Sequence, residues 1–228
     1  MKAMILAAGR GERMRPLTDS VPKPLLEVAG KPLIVHVVER LARAGFTGLV
    51  VNLGYRGDQI RVALGDGSAW GVRIDYSREP ENALETGGGI FQALPLLTDP
   101  FVAVNADVAT DFPFATLRTV PESLAHLILV PNPPHHPEGD FDLAGRRVLP
   151  GKGGRYTFSG IGVYRHALFA GCTAGRFPLA PLLYRAAERG EVTGELYRGT
   201  WMDIGTPQRL AAWRKRQRRG GESDEPTG

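Results

Sequence analysis

Arg13 and Arg15 lie in a glycine-containing loop, and Lys23 follows between Pro22 and Pro24. Three cations this close, after an apolar stretch ending in Ala7–Ala8, suit a polyphosphate. Gly9 and Gly11 have no Cβ to keep the backbone from phosphate oxygens. Consecutive N–H groups in such a loop can form an anion-binding concavity. The arginines can give forked, charge-assisted hydrogen bonds. The two prolines restrict the backbone on either side of Lys23 and so aim its ammonium.

Two common phosphate loops do not fit. The glycine–lysine pairs at Gly30–Lys31 and Gly151–Lys152 are followed by Pro32 and Gly153, where a Walker loop needs Ser or Thr. The dinucleotide fingerprint has Gly9 and Gly11, but Met14 stands at the third glycine, and the second strand, Leu49–Asn52, carries no acid for a ribose. Hydride transfer is therefore a poor reading.

A carboxylate that closes an apolar strand is the next candidate. Asp107, after Phe101–Asn105, can hold Mg²⁺ beside a bound triphosphate, because Mg²⁺ takes one or two carboxylates plus phosphate oxygens. The bland reading is a turn or capping aspartate. His135 and His136 stand together in a proline-rich loop, but neighbours in a loop diverge and no third ligand is near, so zinc is disfavoured.

The elements that must position these groups alternate. Lys2–Leu6, Leu49–Leu53, Val72–Tyr76 and Phe101–Asn105 read as strands. Between them, Pro32–Ala44 has Leu33, Ile34, Val37, Val38 and Leu41 on one helical face, Gln59–Leu64 is a second helix, and the Gly-rich segment Glu85–Gly89 leads into a helix over Ile90–Leu94. That order predicts an α/β fold: a Rossmann-like, mainly parallel sheet with helices on both faces. Ligands then bind outside the strands' carboxyl ends, where the first loop sits. Beyond Asp111 the rhythm loosens: strands at Ala125–Val130, Tyr156–Tyr164 and Trp201–Asp203, a turn or hairpin at Arg146–Gly154, and helices at Leu179–Arg189 and Gln208–Arg218. The expectation is one domain over residues 1–219, dividing at about residue 110, then a disordered tail from Gly220.

Composition agrees with an ordinary globular protein: 228 residues, 43% hydrophobic and 23% charged. One cysteine, Cys172, cannot form an intrachain disulfide, and no apolar run approaches a membrane span or a signal peptide. A cytoplasmic protein that does not engage membranes is expected. The net charge of +4 owes much to the basic run Arg214–Arg219, and without aromatic interleaving it points to anionic small substrates rather than nucleic acid.

The run from Leu6 to Pro24 resembles the signature of the sugar-1-phosphate nucleotidyltransferases, LAAGxGxRMxPxT followed by PKP, with Glu12 where many members carry Ser or Thr. The family's metal-binding pair is matched by Asn105–Ala106–Asp107, with Ala106 for Gly, and its late W-x-D-[IV]-G-T by Trp201–Thr206. The resemblance covers about residues 1–212, and it implies a nucleotide-binding half over about 1–110 and a sugar-binding half over about 111–219. It implies a nucleotidyltransferase (GT-A-like) fold with Asp107 and Asp203 as ligands of Mg²⁺. It implies a nucleotide site of Ala8, Gly9, Gly11, Glu12, Arg13, Lys23 and Asn105. It also implies a base-reading loop over Leu84–Gly89, with Thr86, Gly87 and Gly88. Arg13, Lys23 and Asp107 are the expected catalytic residues. Asp140, Ser159, Gly160, Glu195 and Asp203 are expected around the sugar. Thr206 also suits an N-cap. Within the family the whole set resembles the uridylyltransferase branch, which serves peptidoglycan recycling and uses UTP and N-acetylmuramic acid 1-phosphate. The guanylyltransferases of mannose 1-phosphate share the opening run and are the alternative. A catalytically silent nucleotide-sugar sensor would have no need of both metal ligands.

Overall fold

The computed structural model describes residues 1–80, 84–119, 122–151 and 154–221. In chain order the strands are β1 Ala3–Leu6, β2 Glu27–Val28, β3 Lys31–Pro32, β4 Gly48–Leu53, β5 Arg73–Arg78, β6 Phe101–Asn105, β7 Val108–Thr110, β8 Ala125–Pro131, β9 Phe141–Ala144, β10 Arg147–Pro150, β11 Tyr156–Tyr164, β12 Val192–Leu196 and β13 Trp201–Asp203. The α-helices are α1 Leu33–Arg43, α2 Gly57–Leu64, α3 Glu85–Ala93, α4 Ala180–Glu188 and α5 Pro207–Gly221.

A nine-stranded sheet runs β5-β4-β1-β6-β11-β8-β12-β10-β9. The strands β5, β4, β1 and β6 are mutually parallel. β11 inserts antiparallel between β6 and β8, and β12 is parallel to β8. The sheet is therefore mainly parallel, as the alternation of elements predicts, and continuous from the first half of the chain into the second.

Alternation along the strands fills two cores. Ile5, Val51, Val104 and Ile128 face a cluster with Ile34, Val38 and Leu41 of α1 and Ile60 and Leu64 of α2. Met4, Val50, Ala103 and Leu127 face the opposite cluster, with Ile90 of α3 and Leu183, Ala186 and Ala187 of α4. Burying each large apolar side chain of these clusters contributes ~1.5–3 kcal/mol. A third cluster joins Met14, Val28, Leu33, Ile204, Leu210 and Trp213. It ties the first loop to α5 and to the late Trp201–Thr206 run. Met14, wrong for a dinucleotide fingerprint, is fully buried there. A large apolar side chain fixes the loop from below.

Four local expectations change. The Gly-rich stretch is not a loop before a helix: α3 starts at Glu85 and takes the glycines into its first turns. The hairpin expected over Arg146–Gly154 is β9–β10, which turns at Gly145. β13 is the strand expected at Trp201–Asp203, but its partner β7 and the short pair β2–β3 have no counterpart in the sequence reading. The last helix runs on through Gly221, so Gly220 belongs to it, and residues 222–228 lie outside the described residues.

Candidate active site

The first loop begins where β1 ends. Gly11 takes φ +67°, in the left-handed region, and turns the chain into the short helical turn Glu12–Met14. The Thr18 hydroxyl donates to the Gly11 carbonyl at 2.9 Å and holds the loop shut from the far side. Gly9 faces open space, with nothing within 4 Å of where a Cβ would stand. Ala8 is buried, while Gly9, Glu12 and Arg13 are exposed. Pro22 is extended and Lys23 opens the next turn, so the stem of Lys23 lies across Gly11, 2.9 Å from its Cβ position. The ammonium is thereby delivered to Asp107, with which it forms an ion pair.

The two acids, far apart in sequence, become neighbours through β7 and β13. Asp203 is paired in register with Val108, next to Asp107, and the Ile204 amide donates to the Asp107 carbonyl at 2.9 Å. Their side chains are 22% and 27% exposed, open enough to meet a ligand. Asp111 pins the same corner by accepting from the Tyr197 hydroxyl and from the Thr200 amide. Burial opposes ionisation of Asp111, yet these donors hold its carboxyl below the usual range. Burial, with the Asp111 carboxylate beside it, pushes the Tyr197 hydroxyl up to about 12.

Thr206 caps α5, its hydroxyl accepting from the Arg209 amide at 3.3 Å. The first turn of α5 then places Arg209 against Asp203: Nη1 lies 2.6 Å from both carboxylate oxygens. His135 joins them, with Nε2 3.0 Å from Asp203 Oδ1. A methyl group on Gly205 would come within 2.4 Å of Arg209 Nη2 and 3.3 Å of Arg13 Nη2. Arg13 of the first loop therefore reaches the late motif as well.

The histidine pair divides. His135 goes to Asp203, while His136 Nε2 lies 3.0 Å from Asp140 Oδ1. Asp140 also accepts from the Phe158 amide at 2.8 Å. Among the described residues no group of three or more His, Cys, Asp or Glu side chains is placed to hold a metal ion. The β11 bulge follows at Ser159–Gly160. Ser159 is 1% exposed and its hydroxyl accepts from the Ile161 amide, so it braces the bulge instead of facing a ligand. Its carbonyl accepts from the Trp201 indole at 2.9 Å, which ties the bulge to β13. Gly160 takes φ +78°, and a Cβ there would stand 2.5 Å from Asn105 Nδ2. Asn105 thus lies between the bulge and the end of β6. Glu195 is exposed on β12, opposite Ile128, and makes no hydrogen bond or ion pair among the described residues.

At the other edge, the close approach allowed by Gly87 and Gly88 is to protein: Cβ atoms there would meet Phe177 at 2.6 Å and the Gly175 carbonyl at 2.2 Å. Thr86 is exposed on the same first turns of α3. Beneath them lies a group of residues that sequence reasoning missed. Asn52, 3% exposed, accepts from the Ala7 amide at 2.6 Å and donates to Glu79 Oε1 at 2.6 Å. Glu79, 6% exposed, also accepts from the Leu84 amide at 2.8 Å. One buried chain of polar groups therefore joins the start of the phosphate loop to the start of α3. The only sequence signal was a polar residue, Asn52, at the end of an apolar strand.

Residues 2–141 match the sequence profile of the nucleotidyl transferase family. The chain is 54% identical over 220 residues to the N-acetylmuramate alpha-1-phosphate uridylyltransferase of Neisseria meningitidis serogroup B, covering 92% of this chain and 95% of that protein. It is 37% identical to the enzyme of the same name from Caulobacter vibrioides, covering 92% and 94%. Among solved structures, the inositol-1-phosphate CTP transferase from T. maritima superposes with a TM-score of 0.77 at 21% identity, covering 93% of each chain, a likeness of fold alone. A glycine loop with a clamped lysine, two acids joined by a strand pair, and near full-length relatives all point the same way: the chain belongs to the nucleotidyl transferase family.

Proposed function

We propose that this nucleotidyltransferase transfers UMP from UTP to N-acetylmuramic acid α-1-phosphate, giving UDP-N-acetylmuramic acid and pyrophosphate. The observation that carries the chemistry is the joining of Asp107 to Asp203 across β7 and β13, with Lys23 and Arg13 beside them. The choice of sugar and nucleotide rests on the near full-length likeness to two enzymes of that name. Guanylyl transfer to mannose 1-phosphate, which the opening run alone leaves open, is not favoured by those relatives.

The sugar phosphate is already anionic at neutral pH, so its oxygen needs no general base. That oxygen attacks the α-phosphorus of UTP, the bond between the α-phosphorus and its bridging oxygen breaks, and pyrophosphate leaves with the bonding pair. Catalysis is then alignment and neutralisation of charge. Arg13 and the loop amides from Gly9 to Glu12 hold the leaving pyrophosphate, and Gly9 faces the open space such a ligand needs. Lys23 stabilises charge growing on the α-phosphate. Asn105 and the exposed Thr86, on the first turn of α3, border the nucleoside. Asp140 and the Gly160 bulge line the sugar side.

Two adjacent, partly exposed carboxylates without a soft ligand fit Mg²⁺, which takes the rest of its shell from phosphate and water. Asp107 and Asp203 would hold it, and when bound it neutralises charge on the reacting phosphates. No helix among the described residues is long and apolar enough to cross a membrane. We place the reaction in the cytoplasm, with the UTP pool, as a step of peptidoglycan recycling.

The test is a matrix of four nucleoside triphosphates against N-acetylmuramic acid, N-acetylglucosamine, glucose and mannose 1-phosphates, read as pyrophosphate release with magnesium. UTP with N-acetylmuramic acid 1-phosphate is expected to exceed the other pairs at least tenfold in kcat/KM, about 1.4 kcal/mol of differential transition-state binding. Equal or better use of GTP with mannose 1-phosphate would overturn the assignment.

A further inference from the structure

We propose that Arg209 binds the phosphate of the incoming sugar 1-phosphate. It is a second cation for the reacting phosphates and comes from α5, not from the first loop. The inference rests on the nucleotidyltransferase reading but not on the identity of the sugar.

Three observations support it. Arg209 is held in place: its side chain is only 14% exposed, its amide is capped by Thr206, and Nη1 meets Asp203 and His135. Its other terminal nitrogen, Nη2, points to Gly205 and approaches the same point as Arg13 Nη2. Arg13 has no carboxylate partner among the described residues, so its guanidinium converges on that of Arg209 while Asp203 is already paired with Arg209 and Asp107 with Lys23. Like charges this close repel, and an anion between them turns repulsion into attraction. The remaining Nη2 can give a phosphate a charge-assisted hydrogen bond, a part that an ammonium in the same place can largely take over.

The placement chooses which phosphate. Arg13 approaches from the nucleotide loop. Arg209 approaches from the opposite side, in contact with His135, whose neighbour His136 holds Asp140. Arg209 therefore lies between the loop assigned to the nucleotide and the segment assigned to the sugar, where the attacking phosphate must enter. A divalent cation on Asp203 would compete with Arg209 Nη1 for the same two oxygens. With the cation on Asp203, the guanidinium is free to donate to the phosphate drawn to the same place.

The experiment is calorimetric titration of the sugar 1-phosphate that the wild type uses best into enzyme saturated with magnesium and α,β-methylene-UTP. Wild type is compared with Arg209→Gln and Arg209→Lys. Binding of Mn²⁺ with the same analogue is followed separately by electron paramagnetic resonance. Arg209→Gln is expected to raise Kd for the sugar phosphate at least tenfold, and Arg209→Lys no more than threefold. Kd for the analogue should change less than twofold, and Mn²⁺ should bind as tightly as in wild type or more tightly. An equal loss of analogue binding would make Arg209 a ligand of the nucleotide. Weaker Mn²⁺ would make it only a brace for Asp203. An unchanged sugar phosphate Kd would leave it no binding role. Each of these overturns the proposal. If the Gln variant does not fold, the Lys variant still decides, because a rise beyond threefold contradicts a role in which charge dominates. A wild type that prefers a sugar other than N-acetylmuramic acid would overturn the substrate assignment and leave this test intact.

Discussion

Asn52→Ala should be among the most damaging single changes away from the reacting atoms. Its side chain spans two demands at once, accepting from the Ala7 amide and donating to Glu79, each at 2.6 Å. Alanine leaves a buried backbone N–H and a carboxylate oxygen without partners. An orphaned buried group costs about 1–3 kcal/mol, and more for a charged one, so a loss of roughly 3–5 kcal/mol follows. Against a typical domain stability of about 5–15 kcal/mol, the variant should still fold at room temperature. Urea unfolding followed by circular dichroism reads the loss as a lower midpoint at constant slope. UTP affinity should fall as well, because Ala7 leads into the phosphate loop and Leu84 leads into α3.

The double variant Asn52→Ala, Glu79→Ala sharpens the test. Removing Glu79 removes one of the two groups that alanine at position 52 orphans. The pair should therefore cost less than the sum of the single changes, with a coupling of about 1–2 kcal/mol. A single-variant loss below about 1 kcal/mol, or strict additivity with unchanged UTP binding, would refute the idea that this chain couples the two loops.

Asp107→Asn and Asp203→Asn should each lower turnover at least a hundredfold, about 2.7 kcal/mol, while still binding UTP; near-normal magnesium-dependent rates in either would remove the metal assignment. Gly160→Ala meets both a φ of +78° and Asn105 Nδ2 at 2.5 Å, so it should cost about 1–3 kcal/mol in thermal unfolding and raise the KM for sugar phosphate. Burial, with the Arg146 charge adding, holds the His126 imidazole down to about 4. The unfolded chain then takes up a proton below pH 6.5 that the folded one refuses. Stability should be full above pH 6.5 and fall by up to about 3 kcal/mol as pH drops toward 4. In His126→Asn that slope should flatten, as read by urea midpoints at pH 7 and pH 4.5.

The legible parts of this protein are those written in local pattern. Alternation of apolar strands with α1 and α2 gave the parallel half of the sheet, because burial on both faces demands continuous apolar strands and one-sided helices. The first loop was legible because phosphate chemistry needs glycine and cations at close spacing. Non-local pairing was not. β7 and β13 are three residues each and carry no periodic signal, yet they make neighbours of Asp107 and Asp203. Only the family resemblance linked those two acids beforehand. Ser159 illustrates the converse. The family resemblance implied contact with a sugar, whereas burial and the Ile161 amide commit its hydroxyl to the bulge. Gly87 and Gly88 read as loop glycines because glycine is a poor helix former; tertiary contact with Gly175 and Phe177 overrides that propensity.

The third core explains why the late motif and the first loop act together although nearly the whole chain separates them. Met14 and Leu26 come from the first segment, Ile204, Leu210 and Trp213 from the last, and all five are buried against one another. Ile204 follows Asp203, and Leu210 follows Arg209. Met14 follows Arg13, so apolar anchors alternate with charged neighbours that face the site. Burial is strong and non-directional. It can hold both segments without using any group that the chemistry needs, and the cations stay free to change partners as phosphates arrive. Met14→Ala would open a cavity at about 2–5 kcal/mol and loosen Arg13 together with Arg209. It should therefore weaken UTP and the sugar 1-phosphate in parallel, whereas Arg209→Gln weakens only the sugar 1-phosphate. A Met14→Ala enzyme that loses stability but keeps both affinities would show that the core merely supports the fold and does not register the two cations.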